Sequence, residues 1–388
     1  MNHDGHLDFT DRNGPFIRLC AVGDLSFHGK IQDMILRQGT AHVFKDVKAS
    51  LLEADIRIGN LESVLLANQV DANDSKSCLL ADSIATECLL DAKFDVLTFA
   101  NNHVLDAGPQ GAVECMNILA GARLPFTGAG KNLGEAHIPV IISKAGQKFR
   151  FWGYSYGMGQ IAKKDRPGCA EANLNTILKN INTNPVDGVF EVVSLHMDAE
   201  FQETPAPARV DFCRKLAEHG ISLILCHHPH VPQGIERWGE SLIAYSLGNY
   251  IFSLNDYMRS NSNDCQKSFH LMVDFDEQGI RGAEIIPVVL DQDGKPILAN
   301  GSDKEEILEL VTYRSVLLRD RHALTERYLT MISLWSKSLI KGLYWALGER
   351  DWRKFKQGLL ALKSTKTKRD WLRDFLLIPL HKLGLHKY

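Results

Sequence analysis

The chain has 388 residues, of which 45% are hydrophobic and 23% charged, which excludes a disordered polymer and leaves room for one large domain with an appendage. A formal net charge of −3 conceals an asymmetry: residues 310–388 hold 17 Lys/Arg against 6 Asp/Glu, leaving 27 against 41 in the rest. An acidic body with a basic end suggests a tail that meets an anionic surface, with no nucleic acid expected as partner.

Residues 1–15 are polar, lack the basic start and apolar run of a signal peptide, and read as a flexible N-terminus. Residues 16–22 form a strand by composition that breaks at Gly23-Asp24. A strand-end Asp beside a glycine offers a carboxylate to a metal or phosphate, or else caps the helix expected from about Lys30. A helical stretch over 43–54 leads into a second strand, which ends in Asn60-Leu61-Glu62. Glu62 there demands a partner, either a metal or an arginine, because an unpaired buried carboxylate is costly. Helical spacing over 79–92 precedes a third strand, 94–100, followed by Asn101-Asn102-His103-Val104-Leu105-Asp106. Two amides, an imidazole and a carboxylate within six residues are hard to explain as packing. An Asn can give a metal its carbonyl oxygen, and a His oriented by a carboxylate such as Asp106 is suited to proton transfer.

After a helix over 110–120 and strand-like runs over 138–156, a second series begins. A strand over 189–194 ends at His196-Met197-Asp198-Ala199-Glu200. A helix spans 207–219, and an apolar strand from Ile221 runs into His227-His228-Pro229-His230-Val231. Three histidines in four positions at a strand end lie where an α/β sheet keeps its ligands, and neutral imidazole is the commonest protein ligand for a transition metal. Pro229 is expected to push His228 towards extended geometry. Hairpin strands at 234–238 and 241–245 end in Ser246-Leu247-Gly248-Asn249, and strands at 269–275 and 281–290 complete the body. Oxygen and imidazole ligands at five strand ends suit one or two divalent ions such as Mn, Fe or Zn better than calcium.

The domain boundary is expected at 300, with 301–388 a basic helical C-terminal region. Its clusters of Trp and Lys, such as Trp335, Lys337, Lys341 and Trp345, match basic amphipathic helices that lie on anionic membrane, or else pack on the acidic body. No apolar run approaches the roughly 18 residues of a membrane span. Eight scattered cysteines without a CxxC pair read as free thiols. A cytoplasmic protein is expected, peripheral to the inner membrane face where those helices make contact.

In order along the chain, Gly23-Asp24, Asn60-Leu61-Glu62, Asn101-Asn102-His103-Val104-Leu105-Asp106, His196 with Glu200, His227-His228-Pro229-His230-Val231 and Tyr245-Ser246-Leu247-Gly248-Asn249 resemble the capsule-synthesis protein CapA family. That family is associated with poly-γ-glutamate capsule synthesis and is similar to the calcineurin-like metallophosphatases. The resemblance implies an α/β fold of two packed mixed sheets flanked by helices, over about residues 16–255. It implies Asp24 and His230 as ligands of a first metal, Glu62 as the bridging carboxylate, and Asn102, His196 and His228 as ligands of a second. It makes His103 the general acid, assisted by Asp106, and places Asn60, Asn101, Glu200, His227 and Asn249 around this set. The implied activity is metal-dependent hydrolysis of a phosphoester or a γ-glutamyl-type amide. The alternative is an accessory protein that binds an anionic polymer or its synthase without turnover. Two departures stand out: Ser26 occupies the place of a ligand histidine, with His28 two residues further on, and Glu62 stands where phosphatases carry an aspartate.

Overall fold

A computed structural model of the chain describes residues 4–9, 14–67, 78–156, 160–183 and 185–331. Two mixed sheets pack face to face with helices on their outer faces, the expected α/β sandwich. In the first sheet Ile17–Leu25, Ile56–Leu61 and Val96–Thr98 run parallel, and the antiparallel hairpin Lys267–Asp276/Gly279–Leu290 extends it on one side. The second sheet is built on Gln147–Ser155, Val189–His196, Leu223–His227 and Ser241–Ala244, all parallel, with antiparallel edge strands Val140–Lys144 and Ile235–Trp238.

The central strands are apolar on both faces, and alternation sorts their residues into separate cores. Leu19, Ala21, Ile56, Ile58, Val192, Leu223 and Leu225 fill the space between the sheets. Cys20 and Val22 instead lie under the helices Lys30–Gln38 and Gly108–Gly121, while Val193, Leu195, Ile224 and Cys226 lie under Pro207–Glu218. The inter-sheet row turns polar at its carboxyl end, where Asn60, Thr98, Ser194 and His227 follow apolar residues two positions before them and His196 follows Ser194. A row of this composition puts a polar pocket at the end of an otherwise apolar core.

Three expectations need correction. The helix over 43–54 is a short 3₁₀ turn, Thr40–His42, followed by successive turns and one helical turn at Lys48–Leu51. Its apolar spacing is satisfied by burying Val43, Phe44, Val47 and Leu51 without a continuous helix. Over 79–92 the first residues form a strand, Leu80–Asp82, paired with Val64–Leu66, and the helix spans only Ala85–Asp91. There the Asp82 carboxylate accepts from the Ile84 N–H at 2.8 Å, a local turn that competes with helix. Within the supposedly flexible N-terminus, His6–Asp8 is a strand on the edge of Gly279–Leu290.

The region after residue 300 begins inside the body. Helix Gly301–Leu317 buries Ile307, Leu308 and Val311 in the inter-sheet core, and Leu318 and Leu324 join the outer core of the second sheet. Arg314 donates to Asp264 at 2.6 Å and to the Pro232 carbonyl. The cluster from Trp335 to Trp345, on which membrane contact is expected, lies outside the described residues, and among the described residues no helix is long and apolar enough to cross a membrane. Ending the chain at Asn300 is therefore expected to give insoluble or unfolded protein. Ile307→Ala should lower the unfolding free energy by about 2–5 kcal/mol in a urea titration; wild-type stability after truncation would contradict this packing.

Candidate metal centre

Every functional side chain hangs from the carboxyl end of a parallel strand. Asp24 reaches the pocket because of a bulge: Ala21 faces Ile58, but the next partners are Asp24 and Asn60, so the first strand carries one extra residue. Gly23 sits in that bulge, where a Cβ would come within 1.9 Å of the Gly248 carbonyl oxygen, so no other residue fits without moving the backbone. The approach is used, since the Asp24 N–H donates to Gly248 O at 3.0 Å.

Asp24, Glu62, His196, His228 and His230 converge in one buried cluster. Candidate ligand atoms of Asp24, Glu62 and His196, and those of Glu62, His228 and His230, lie within 4.8 Å of one another in each set. Glu62 is the centre. It is fully buried, neither carboxylate oxygen has a hydrogen-bond partner, and His196 Nε2, His230 Nε2 and His103 Nε2 stand 3.7, 3.8 and 3.8 Å from Oε1. Nδ1 of His228 is likewise buried without a partner. Asn102 Oδ1 lies 2.7 Å from His196 Nε2, placing the amide oxygen and the imidazole on the same side of the cluster. Partnerless buried oxygens and an imidazole nitrogen facing one another fit a divalent cation.

The surrounding residues hold this set in place. Asn60 donates to Asp24 Oδ1 at 2.9 Å and lies 3.3 Å from His196 Nδ1, while its own oxygen faces Thr98 and Asn101. Asn101 donates to Leu61 O and receives the His103 N–H, bracing the loop. His227 Nδ1 lies 3.1 Å from Asp24 Oδ1. Asn249 Oδ1 lies 2.9 Å from His230 Nδ1, which leaves Nε2 turned to Glu62. Glu200 is half-buried and adds a negative charge near His228 and His230. His103 Nδ1 lies 2.7 Å from Asp106 Oδ2, an oxygen that also receives the Leu79 N–H at 2.7 Å.

The protonation pattern matches a site built for positive charge. Burial pushes Glu62 well above the ordinary carboxylate range, with Asp24 adding repulsion. Burial works against Asp24 too, but hydrogen bonds from His227 and His230 outweigh it and hold Asp24 well below that range. Burial likewise opposes charge on His230, yet Glu62 and Asp24 push it up to about 10. Burial lowers His196 and takes His228 down to about 4, so both are neutral and have a lone pair to offer.

His228 does not take the extended geometry expected of a residue before proline. Its φ is +96°, and Asp198, Phe201 and His230 also lie at positive φ, at 84°, 62° and 59°. Each such residue costs on the order of 1–3 kcal/mol. Cross-links between the two loops hold them there: Phe201 N–H to Pro229 O at 2.8 Å, Met197 N–H to His227 O at 3.1 Å, and Gln233 Nε2 to Gln202 O at 2.7 Å. Thr98 and Ser194, which link the sheets beneath the site at 3.2 Å, were missed in the sequence; both continue the interior-facing alternation of their strands, which was the available signal.

The family model described as bacterial capsule synthesis protein PGA_cap matches residues 18–254. The capsule biosynthesis protein CapA of Bacillus anthracis is 27% identical over 310 residues, 78% of this chain and 74% of that protein. The PGA biosynthesis protein CapA of Bacillus subtilis strain 168 is 28% identical over 235 residues, 60% of this chain and 62% of that one, so the chain spans less than two thirds of this relative. Among solved structures, a phosphatase from Mycoplasma pneumoniae is 15% identical, covering 71% of this chain and 94% of that one at a TM-score of 0.46.

Two outcomes follow from the cluster. A cation that displaces the proton on His230 must bind more tightly as that proton is removed, so affinity for Mn²⁺ should rise by about tenfold per pH unit between pH 6 and 8, with proton release measurable by calorimetry in two buffers. Glu62→Gln removes the unpartnered charge; it should raise the melting temperature of metal-free protein and abolish metal retention measured by mass spectrometry.

Proposed function

Because the chain belongs to the bacterial capsule synthesis protein PGA_cap family, we propose that it is a metal-dependent hydrolase acting on a phosphoester or a γ-glutamyl-type amide in the metabolism of an anionic capsule polymer. The observation that carries this reading is Glu62, a fully buried carboxylate without a hydrogen-bond partner, ringed by imidazoles. Asp24, Glu62, Asn102, His196, His228 and His230 would hold one or two ions, the geometry grouping Asp24 and His196 in one set and His228 and His230 in the other, with Glu62 common to both. A divalent ion there supplies Lewis-acid chemistry and an activated water.

The chain's own residues supply the proton and its direction. Asp106 accepts from His103 Nδ1–H, so His103 Nε2 is the atom that faces the cluster, 3.0 Å from Asn102 Nδ2 and 3.8 Å from Glu62. The His103 side chain is 17% exposed, whereas Asp24 and Glu62 are at 0%. The imidazole thus lines the mouth with Nε2 accepting from the Asn102 amide, and once Nε2 has taken up a proton it can pass that proton to a leaving group that enters from solvent. His227, Asn60 and Asn249 do no chemistry in this scheme; they fix the orientation of Asp24, His196 and His230.

The second reading, an accessory protein that binds an anionic polymer or its synthase, draws on Ser26, which stands where the resembled phosphatases carry a ligand histidine. Screening phosphoesters and γ-glutamyl compounds with Mn, Zn and Fe separates the two, and absence of turnover with every metal favours the binder. Under the hydrolase reading His103→Ala lowers kcat by about 10²–10⁴-fold with metal content unchanged, whereas His228→Ala loses metal. Full turnover by His103→Ala would remove the general acid from the scheme.

A further inference from the structure

His28 lies outside the ligand set, four residues after Asp24 and just before the first helix. Its Nδ1 is 2.8 Å from Ser26 Oγ, and Ser26 is fully buried. The His28 ring meets the edge of Phe252 at 5.3 Å between centroids, and the same Phe252 ring meets His230 at 5.0 Å. His28 is only half-buried and lies within electrostatic reach of His103, Asp106 and His230. It therefore stands at the mouth of the site, with Phe252 as a spacer from the ligands.

The Ser26–His28 pair selects a tautomer. The Ser26 hydroxyl has no hydrogen-bond partner besides His28 among the described residues. If His28 Nδ1 carried the proton and donated to Oγ, the hydroxyl proton would be left buried without an acceptor, at a cost of about 1–3 kcal/mol. The hydroxyl therefore donates to Nδ1, and the ring proton sits on Nε2. Among the described residues Nε2 has no protein partner. The result is a fixed, partnerless N–H donor at the rim of a cluster made to hold cations.

We propose that His28 is a substrate-positioning residue whose Nε2–H, oriented by Ser26, hydrogen-bonds an oxyanion held against the Asp24–Glu62–histidine cluster. This rests on the reading of that cluster as the reactive site and adds the group that aligns a phosphoryl or carboxyl oxygen beside His103. Burial, with His103 beside it, takes the imidazole down to about 4, so the donor is neutral and its role holds across ordinary working pH.

The test uses the full chain with and without Mn²⁺, and inorganic phosphate as probe. A neutral donor to a charged acceptor contributes enough that His28→Ala should weaken phosphate binding by about tenfold to a hundredfold in calorimetry. His28→Gln, which keeps an amide N–H near the Nε2 position, should recover most of it, and Ser26→Ala should fall between. Manganese content and melting temperature should match wild type in the His28 variants. Where a substrate turns over, KM rises in His28→Ala while kcat stays within a few-fold. Equal phosphate affinity in wild type and His28→Ala, loss of manganese in His28→Ala, failure of Gln to improve on Ala, or no phosphate binding by wild type under either condition overturns the inference. Phosphate binding that responds to His28 without cleavage of any ester or γ-glutamyl compound would sustain it while removing the hydrolase reading.

Discussion

Two carboxylates buried at 0% exposure within one polar pocket are the constraint around which this molecule is arranged. Removing one such ion from water costs several kcal/mol even after relaxation, and two of like sign raise the cost further. The chain answers with imidazoles. Asp24 receives His227 and His230, and Glu62 receives nothing but the facing nitrogens of His103, His196 and His230 at 3.7–3.8 Å. Such distances are too long for hydrogen bonds and suit ligands gathered around a cation.

The sandwich makes that arrangement affordable by concentrating apolar burial directly beneath it. Each central strand contributes apolar residues to both faces, so the polar ends of five strands are carried on a rigid frame. Rigidity matters because the histidine loops are strained: four non-glycine residues at positive φ sit within 198–230, held by backbone bonds between the two loops. Strain of this kind persists only where the surroundings over-determine it, and it is concentrated beside the ligands. The helix Gly301–Leu317 belongs to the same frame, since it closes the inter-sheet core and ties Arg314 to the Pro232 carbonyl downstream of the histidines.

Ser26 turns its hydroxyl to His28 and away from the carboxylate–imidazole cluster. Glu62 puts Oε1 at nearly equal distances from three imidazoles. The polar network beneath, from Ser194 through Thr98 to Asn60, couples the two sheets at the depth of the ligands. A shift of one sheet against the other would move His196 relative to Asp24.

Much of this was legible in the chain itself. Apolar runs that end abruptly in Asp, Glu, Asn-His or His mark strand ends, and their order carries the family resemblance, because alternation and strand length are local properties. The apolar spacing at 43–54 and 79–92 reads as continuous helix because burial periodicity does not distinguish a helix from turns, or from a short strand and helix in succession, that bury the same side chains. For a related reason composition registers that the segment after 300 is helical and basic, not that Ile307, Leu308 and Val311 enter a core shared with residues as distant as Ile17 and Leu19. By itself the sequence determined which residue types stand at which strand ends. Only the tertiary structure decided that the bulge at Gly23 turns Asp24 inward, that His228 adopts φ +96° against its proline neighbour's preference, and that Ser26 directs His28. Those outcomes depend on Gly248, Phe201 and Phe252, groups distant in sequence whose close approach overrides local preference.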